Sequence, residues 1–325
     1  MFFSRKNLKN AVLLAPALIV LQACTVTVPL DSPTPSDEAY ISVDTDQTIT
    51  LQFKDSQPQD LENLVGKPVP IVVESNGAPL EEHAYLLEAL QKEAKARNLP
   101  LNFESSSENK LELDAYQVFH HRVSGFSPLV TVTTARLDLV LPDRTSRIAV
   151  AVKRGKVPVM SMGEINEPTF NEPHEILVKE IVAKINMVTF NNKTSDQYVA
   201  ELVGKIKANI DDRETYLDVY ELGFSNNSKA LDALMEFSKA DQEYIRLSAI
   251  SGLGMIGGER SFEYLKSIHA SDGLWQDRVV ALKAIGDIGT EAAINYLKTE
   301  RPKWKAEDNK ESKWTVVVLG LFLDD

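Results

Sequence analysis

The stretch Arg246-Leu-Ser-Ala249-Ile-Ser-Gly252-Leu253-Gly254-Met-Ile256-Gly257 returns 32 residues later as Arg278-Val-Val-Ala281-Leu-Lys-Ala284-Ile285-Gly286-Asp-Ile288-Gly289. The offset persists into the next segment, where Phe262, Tyr264, Leu265 and Lys266 match Ile294, Tyr296, Leu297 and Lys298. An earlier copy lies 31 residues upstream, with Val219, Leu222, Gly223, Leu231 and Leu234, and a half-copy, Thr315 to Gly320, follows. A period of this length reads as stacked helix pairs, each with an apolar face that only its neighbours can bury. Ala249 and Ala281 are small enough to let paired helices approach. Gly257 and Gly289 are placed to end their helices in left-handed geometry, which glycine adopts cheaply.

The pattern resembles HEAT-like repeats of the short type also seen in phycobilisome lyases, and that resemblance implies an α-solenoid over residues 206–325. It carries no lyase chemistry, because the chain has a single cysteine, Cys24, far from the repeats. A solenoid offers a long inner row of side chains, and that row is the expected surface for a protein partner.

Upstream, residues 57–205 read as a small αβ domain, so the fold class is α+β. A strand is expected from Val69 to Glu74, then a turn at Asn76-Gly77. Pro79 opens a helix that carries Tyr85, Leu86, Leu90 and Ala94 at helical spacing and stops at Asn98. Leu99 to Phe103 begins the return. Lys110–His121, Leu129–Leu141 and Thr145–Val152 alternate as strands, the last two joined by a tight turn at Pro142-Asp143-Arg144. Pro173 leads a second helix with Ile176, Leu177, Ile181 and Ile185 on one stripe. An antiparallel sheet with two helices on one face buries both helices. The order is similar to the αβ domain of several outer-membrane lipoproteins, a likeness of topology that assigns no function.

At the start, Arg5, Lys6 and Lys9 precede ten apolar residues from Ala11 to Val20, then Leu21-Gln22-Ala23-Cys24. The run is too short to span a bilayer core of about 30 Å as a helix. A basic flank, a short apolar core and a small residue before the cut have the anatomy of a secretory signal over residues 1–23. The tetrapeptide resembles the lipobox of bacterial lipoproteins. The resemblance implies that Cys24 is lipidated (diacylated on sulfur, with the signal cut before it and its new amino group acylated, palmitate being an expected acyl group) and that the membrane partner is reached through this lipid anchor. In enterobacterial lipoproteins an Asp after the cysteine retains the protein at the inner membrane, so with Thr25 there the same resemblance implies the outer membrane, periplasmic face. Residues 24–56, with Asp31-Ser-Pro33-Thr-Pro35-Ser-Asp37-Glu38, are expected to form a flexible acidic tether, with Thr48 to Phe53 alternating as a strand.

Composition narrows the chemistry. With 43% hydrophobic and 25% charged residues the chain is an ordinary globular protein, and one cysteine excludes an intrachain disulfide and a thiolate metal cluster. The formal net charge of −12 becomes −15 once the basic leader is removed. Such a chain is poorly suited to a nucleic-acid backbone, where Lys and Arg must neutralise phosphates, so nucleic acid is not an expected partner. His120 and His121 are adjacent on a strand and point to opposite faces, while His83, His174 and His269 lie in separate elements. No metal, cofactor or catalytic set is expected. Asp211-Asp212 reads as a helix start. Gly252-Leu-Gly-Met-Ile-Gly257 has the letters of a dinucleotide fingerprint but sits inside a helical repeat. Lys303-Trp304-Lys305 and Lys313-Trp314 read as tryptophans packing a loop between the last repeats. The leading expectation is a non-enzymatic scaffold or assembly factor that binds an envelope protein through its repeats. The alternative is an envelope enzyme or regulatory subunit acting on a cell-wall or polysaccharide substrate through carboxylates of the αβ domain.

Overall fold

The computed structural model describes residues 26–42, 48–57, 71–121, 127–156 and 163–324. Cys24 and the leader lie outside them. The chain is a mixed α/β protein with two sheets followed by a long helical part. The strands are β1 (Val26–Pro29), β2 (Ile49–Asp55), β3 (Ile71–Ser75), β4 (Ala78–Pro79), β5 (Leu101–Phe103), β6 (Lys110–His121), β7 (Leu129–Val140) and β8 (Thr145–Lys156). The first helix, α1 (Glu82–Ala96), lies between β4 and β5; α2 (Gly163–Asn166) and α3 (Glu172–Thr189) follow β8, joined by a π-helical turn at Glu167–Asn171. The helical part contains α4 (Asp196–Ala208), α5 (Thr215–Phe224), α6 (Leu231–Phe237), α7 (Glu243–Ile256), α8 (Glu259–His269), α9 (Trp275–Ile288), α10 (Glu291–Lys305) and α11 (Lys310–Phe322).

The larger sheet runs β5-β2-β6-β7-β8, with parallel pairs on either side of β2 and an antiparallel meander from β6 to β8. The β7–β8 connection is closed by mutual backbone bonds between Leu141 and Arg144. Alternation decides what each face meets. Leu137 and Leu139 of β7, with Ile148, Val150 and Val152 of β8, are fully buried on the face that packs against α3. Val130, Val132 and Arg136 point the other way, toward α11. Strand β8 is an edge, and an edge needs cover. Lys184 of α3 donates to Ala149 O at 2.5 Å, and the Tyr244 hydroxyl donates to Gly155 O at 3.3 Å.

Helices α5, α7, α9 and α11 pack one against the next, and α6, α8 and α10 lie behind them. The repeated arginines form a ladder along the inner row. Arg246 of α7 bonds Asp277 of α9 at 2.8 Å, and Arg278 of α9 holds Glu311 of α11 in a two-pronged pair at 2.6 and 2.5 Å. Glycines set the spacing between helices. A Cβ on Gly254 would lie 2.5 Å from Ala284 Cα, and one on Gly286 would meet the Phe322 ring at 2.6 Å. The close approach therefore sits at Gly254 and Gly286, while Ala249 and Ala281 are fully buried.

Several expectations are corrected. The inner row does not face solvent; it closes on the chain's own sheet and on α3. Tyr216 of α5 bonds Glu172 of α3, Glu243 of α7 pairs with Lys153 of β8, and Asp287 of α9 pairs with Lys184 of α3 at 2.6 Å. Buried side chains from the sheet to α11 thus form one continuous core. The boundary drawn at 205/206 falls inside α4, which already packs on α5. Residues 26–42 are not a free tether. Val28, Leu30 and Tyr40 are buried, β1 pairs in parallel with β3, Ser36 donates through N and Oγ to Glu93, and Ile41 bridges Lys193. Proline and acid keep the segment extended, and a few apolar residues at intervals suffice to dock it as a strap. Gly289 is left-handed at φ 68°, as expected, whereas Gly257 is right-handed and Gly258 takes the positive φ of 50°. Asp212 precedes the helix: it accepts from Glu214 N in the turn before α5.

Candidate functional site

A cleft of about 290 Å³ opens at the seam between the sheet and the inner helices. Its floor on the sheet side is Val130 and Val132 of β7 with Ala151, Lys153 and Gly155 of β8; His121 and Pro128 stand at the strand ends. Facing them are residues of three helices: Tyr244 and Leu247 near the start of α7, Trp275, Val279 and Val280 in the first half of α9, and Trp314 and Val318 of α11. Tryptophan walls and branched aliphatics around a few polar groups are the usual make-up of a ligand site. The alternation that buries Leu129 on the opposite face turns Val130 into the cleft.

The walls are held rigidly. Trp314 is buried and meets Phe119 edge-on at 5.7 Å, so it packs on the sheet and not in a loop as expected. Trp304 is part of α10, with its ring 6.0 Å from His269. Beside the cleft, the Arg154 guanidinium is sandwiched between the Tyr216 and Tyr244 rings at 4.0 and 4.1 Å and reaches Glu172 at 2.8 Å. This stack joins β8, α3, α5 and α7 at one point.

A buried charge cluster lies beneath. Lys283 of α9 also lines the cleft, yet only 1% of it is exposed. Its ammonium donates to Glu180 of α3 and, at 2.7 Å, to Ser251 of α7, and it pairs with Asp287 at 2.8 Å. Lys184 pairs with both carboxylates at 2.6 Å. Two cations and two anions balance, which makes burial of all four tolerable. Burial alone would raise Glu180, but Lys184 and Lys283 outweigh it and hold the carboxyl below its usual range. Burial raises Asp287 in spite of the same lysines. Burial lowers Lys283 less than Asp287 and Glu180 raise it, so this ammonium stays protonated and is no nucleophile.

The polar groups that face the cavity are differently engaged. Lys153 is neutralised by Glu243 and lies 5.8 Å from the Tyr244 ring. Lys310 is exposed and sits 5.3 Å over the Trp275 ring, with no acidic partner among the described residues. His121 Nδ1 and Gln276 Oε1 are buried atoms without a hydrogen-bond partner there. Neither α7 nor α9 has a side-chain cap at its N-terminus, so their first-turn N–H groups add positive potential at the mouth.

The residues singled out in the sequence are scattered. His121 reaches the cleft, whereas His174 is buried between Tyr116 and the Phe170 carbonyl, and His269 bonds the Tyr296 hydroxyl at 2.7 Å. Among the described residues no three His, Cys, Asp or Glu are grouped to hold a metal, and no helix is long and apolar enough to cross a membrane. The cleft itself escaped the sequence reading. Its one visible signal was Lys283, a lysine at the repeat position where the previous copy has Ser251. Comparison with protein-family models found no match to this chain, and a search of curated proteins found no relative.

Proposed function

We propose that this chain is a lipid-anchored, non-enzymatic binding protein of the bacterial envelope, held through Cys24 at the periplasmic face of the outer membrane. In this reading the helices from α4 onward are a HEAT-like solenoid closed around a small αβ sandwich, and the seam cleft is the receptor site. The cleft carries the reading: it is walled by Trp275, Trp314 and Tyr244, lies between two rigidly joined layers and has at its rim an ammonium, Lys310, with no acidic partner among the described residues. The lipobox-like Leu21-Gln22-Ala23-Cys24 supports the anchor. Because the inner row of helices is already covered, scaffolding of an envelope protein falls to the outer row and the cleft rim. Two substitutions test this. Cys24→Ser is expected to release the protein from membranes; retention after a carbonate wash would refute the anchor. Val280→Arg fills the cleft and is expected to abolish ligand capture by the folded protein; undiminished capture would refute the site.

A further inference from the structure

Chain connectivity fixes where the anchor lies relative to the cleft. Strand β1 begins at Val26, two residues after Cys24. From Val26 onward the chain is locked into the fold by pairing with Ile71 to Glu74. Val28 is fully buried, in a small core with Leu129 and Phe170. Leu129 is the immediate neighbour of Val130, and the two side chains leave opposite faces of β7. The strap and the cleft therefore share one end of the sheet, on its two faces. An anchor at Cys24 holds that end against the bilayer.

The cleft's chemistry matches what the bilayer supplies. Its aliphatic lining, from Val132, Leu247, Val279 and Val318, favours a flexible chain. Its volume of about 290 Å³ takes roughly ten methylene-sized groups, at about the 30 Å³ that one water occupies in the liquid. At the rim the Lys310 ammonium lies over the Trp275 face and has no acidic partner among the described residues, in a chain whose formal net charge is −12. Gln276 can turn its amide and His121 can shift its tautomer, so each can offer a donor to an anion.

From this juxtaposition we infer that the seam cleft binds an acyl-chain anion drawn from the membrane, its tail between the sheet and α9 and its head on Lys310. The inference rests on the receptor reading of the cleft and adds the class of ligand and its source. The test uses the full chain in phosphatidylcholine vesicles, titrated with 12-bromododecanoate and with brominated neutral and cationic analogues of equal tail length. Bromine on the tail quenches Trp275 and Trp314 on contact. Saturable quenching is expected, with the carboxylate about tenfold tighter than the alcohol, as one charge-assisted hydrogen bond provides. Lys310→Met should bring the two within about twofold while the alcohol still binds. Inorganic phosphate alone should not compete. Equal binding of the cationic analogue, an unchanged preference in Lys310→Met, or competition by phosphate would overturn the ligand class while leaving a receptor cleft. Absence of saturable quenching by all three probes would overturn both. The mass of the N-terminal peptide reports acylation separately. An unacylated Cys24→Ser chain that takes the carboxylate out of vesicles as efficiently as the acylated chain would overturn the membrane source alone.

Discussion

Adding one methyl group at Gly254 should force α7 and α9 apart. An alanine Cβ there would stand 2.5 Å from Ala284 Cα and 2.7 Å from its carbonyl carbon, both backbone atoms in the middle of a helix. Ordinary contact begins near 3.4 Å, so the helices must part by about 1 Å along a seam that also carries the Lys283 cluster. Overpacking of this kind costs about 1–3 kcal/mol, and more where backbone must shift. Replacing glycine by alanine within a helix returns about 1 kcal/mol of propensity. The net expectation is a loss of about 2 kcal/mol. Gly204 on α4 is the internal control, since it is helical and exposed and a Cβ there meets nothing within 4 Å. Gly204→Ala should stabilise by about 0.5–1 kcal/mol. Urea denaturation followed by circular dichroism measures both. If Gly254→Ala is as stabilising as Gly204→Ala, the two inner helices do not meet as described.

Three further outcomes follow from the packing. Leu253→Ala and Ile285→Ala, at equivalent and fully buried positions, should each cost about 2–5 kcal/mol; a loss below about 0.5 kcal/mol at either would mean the repeat register is misread. Lys283→Met leaves Glu180 and Asp287 with Lys184 as their one cation in the cluster and should destabilise by about 3–5 kcal/mol, a loss that an unchanged urea midpoint would rule out. His174 is held neutral, because burial lowers it to about 4 against a small opposing effect of the Phe170 carbonyl. The unfolded chain takes up that proton first, so its stabilising effect is complete above about pH 6.5 and is lost as pH falls toward 4, by about 3 kcal/mol in all. His174→Gln should show that much less acid destabilisation than the wild type over the same window, and equal losses would refute the assignment.

The repeat was legible because one pattern recurs in register. Arg246 and Arg278 mark the ladder, Leu253 and Ile285 the core, and Gly289 the left-handed end. The β6–β8 meander was legible for a similar reason, since period-2 alternation in Leu137, Leu139, Ile148 and Val150 identifies a buried face. Periodicity reveals that a face is apolar but not what covers it. The inner helices therefore read as a partner surface, whereas their cover is α3 and β8. The cleft was hidden because its residues come from strands and helices more than a hundred positions apart, such as Val132 and Trp275, and each is ordinary alone. Composition reports extension and hydration of the strap, whereas its docking rests on a few specific contacts. Among them are Ser36 on Glu93 and the Tyr40 hydroxyl on Phe224 O at 2.8 Å.

The receptor reading of the seam cleft is tested most directly by mapping where a photoreactive acyl-chain carboxylate attaches to the full chain in vesicles, using peptide mass spectrometry. The predicted labels fall on β7 near Val132, on α9 near Val279 and on α11 near Val318, and vanish in Val280→Arg. Labels spread over the outer helices α8 and α10, or a pattern unchanged in Val280→Arg, would contradict it.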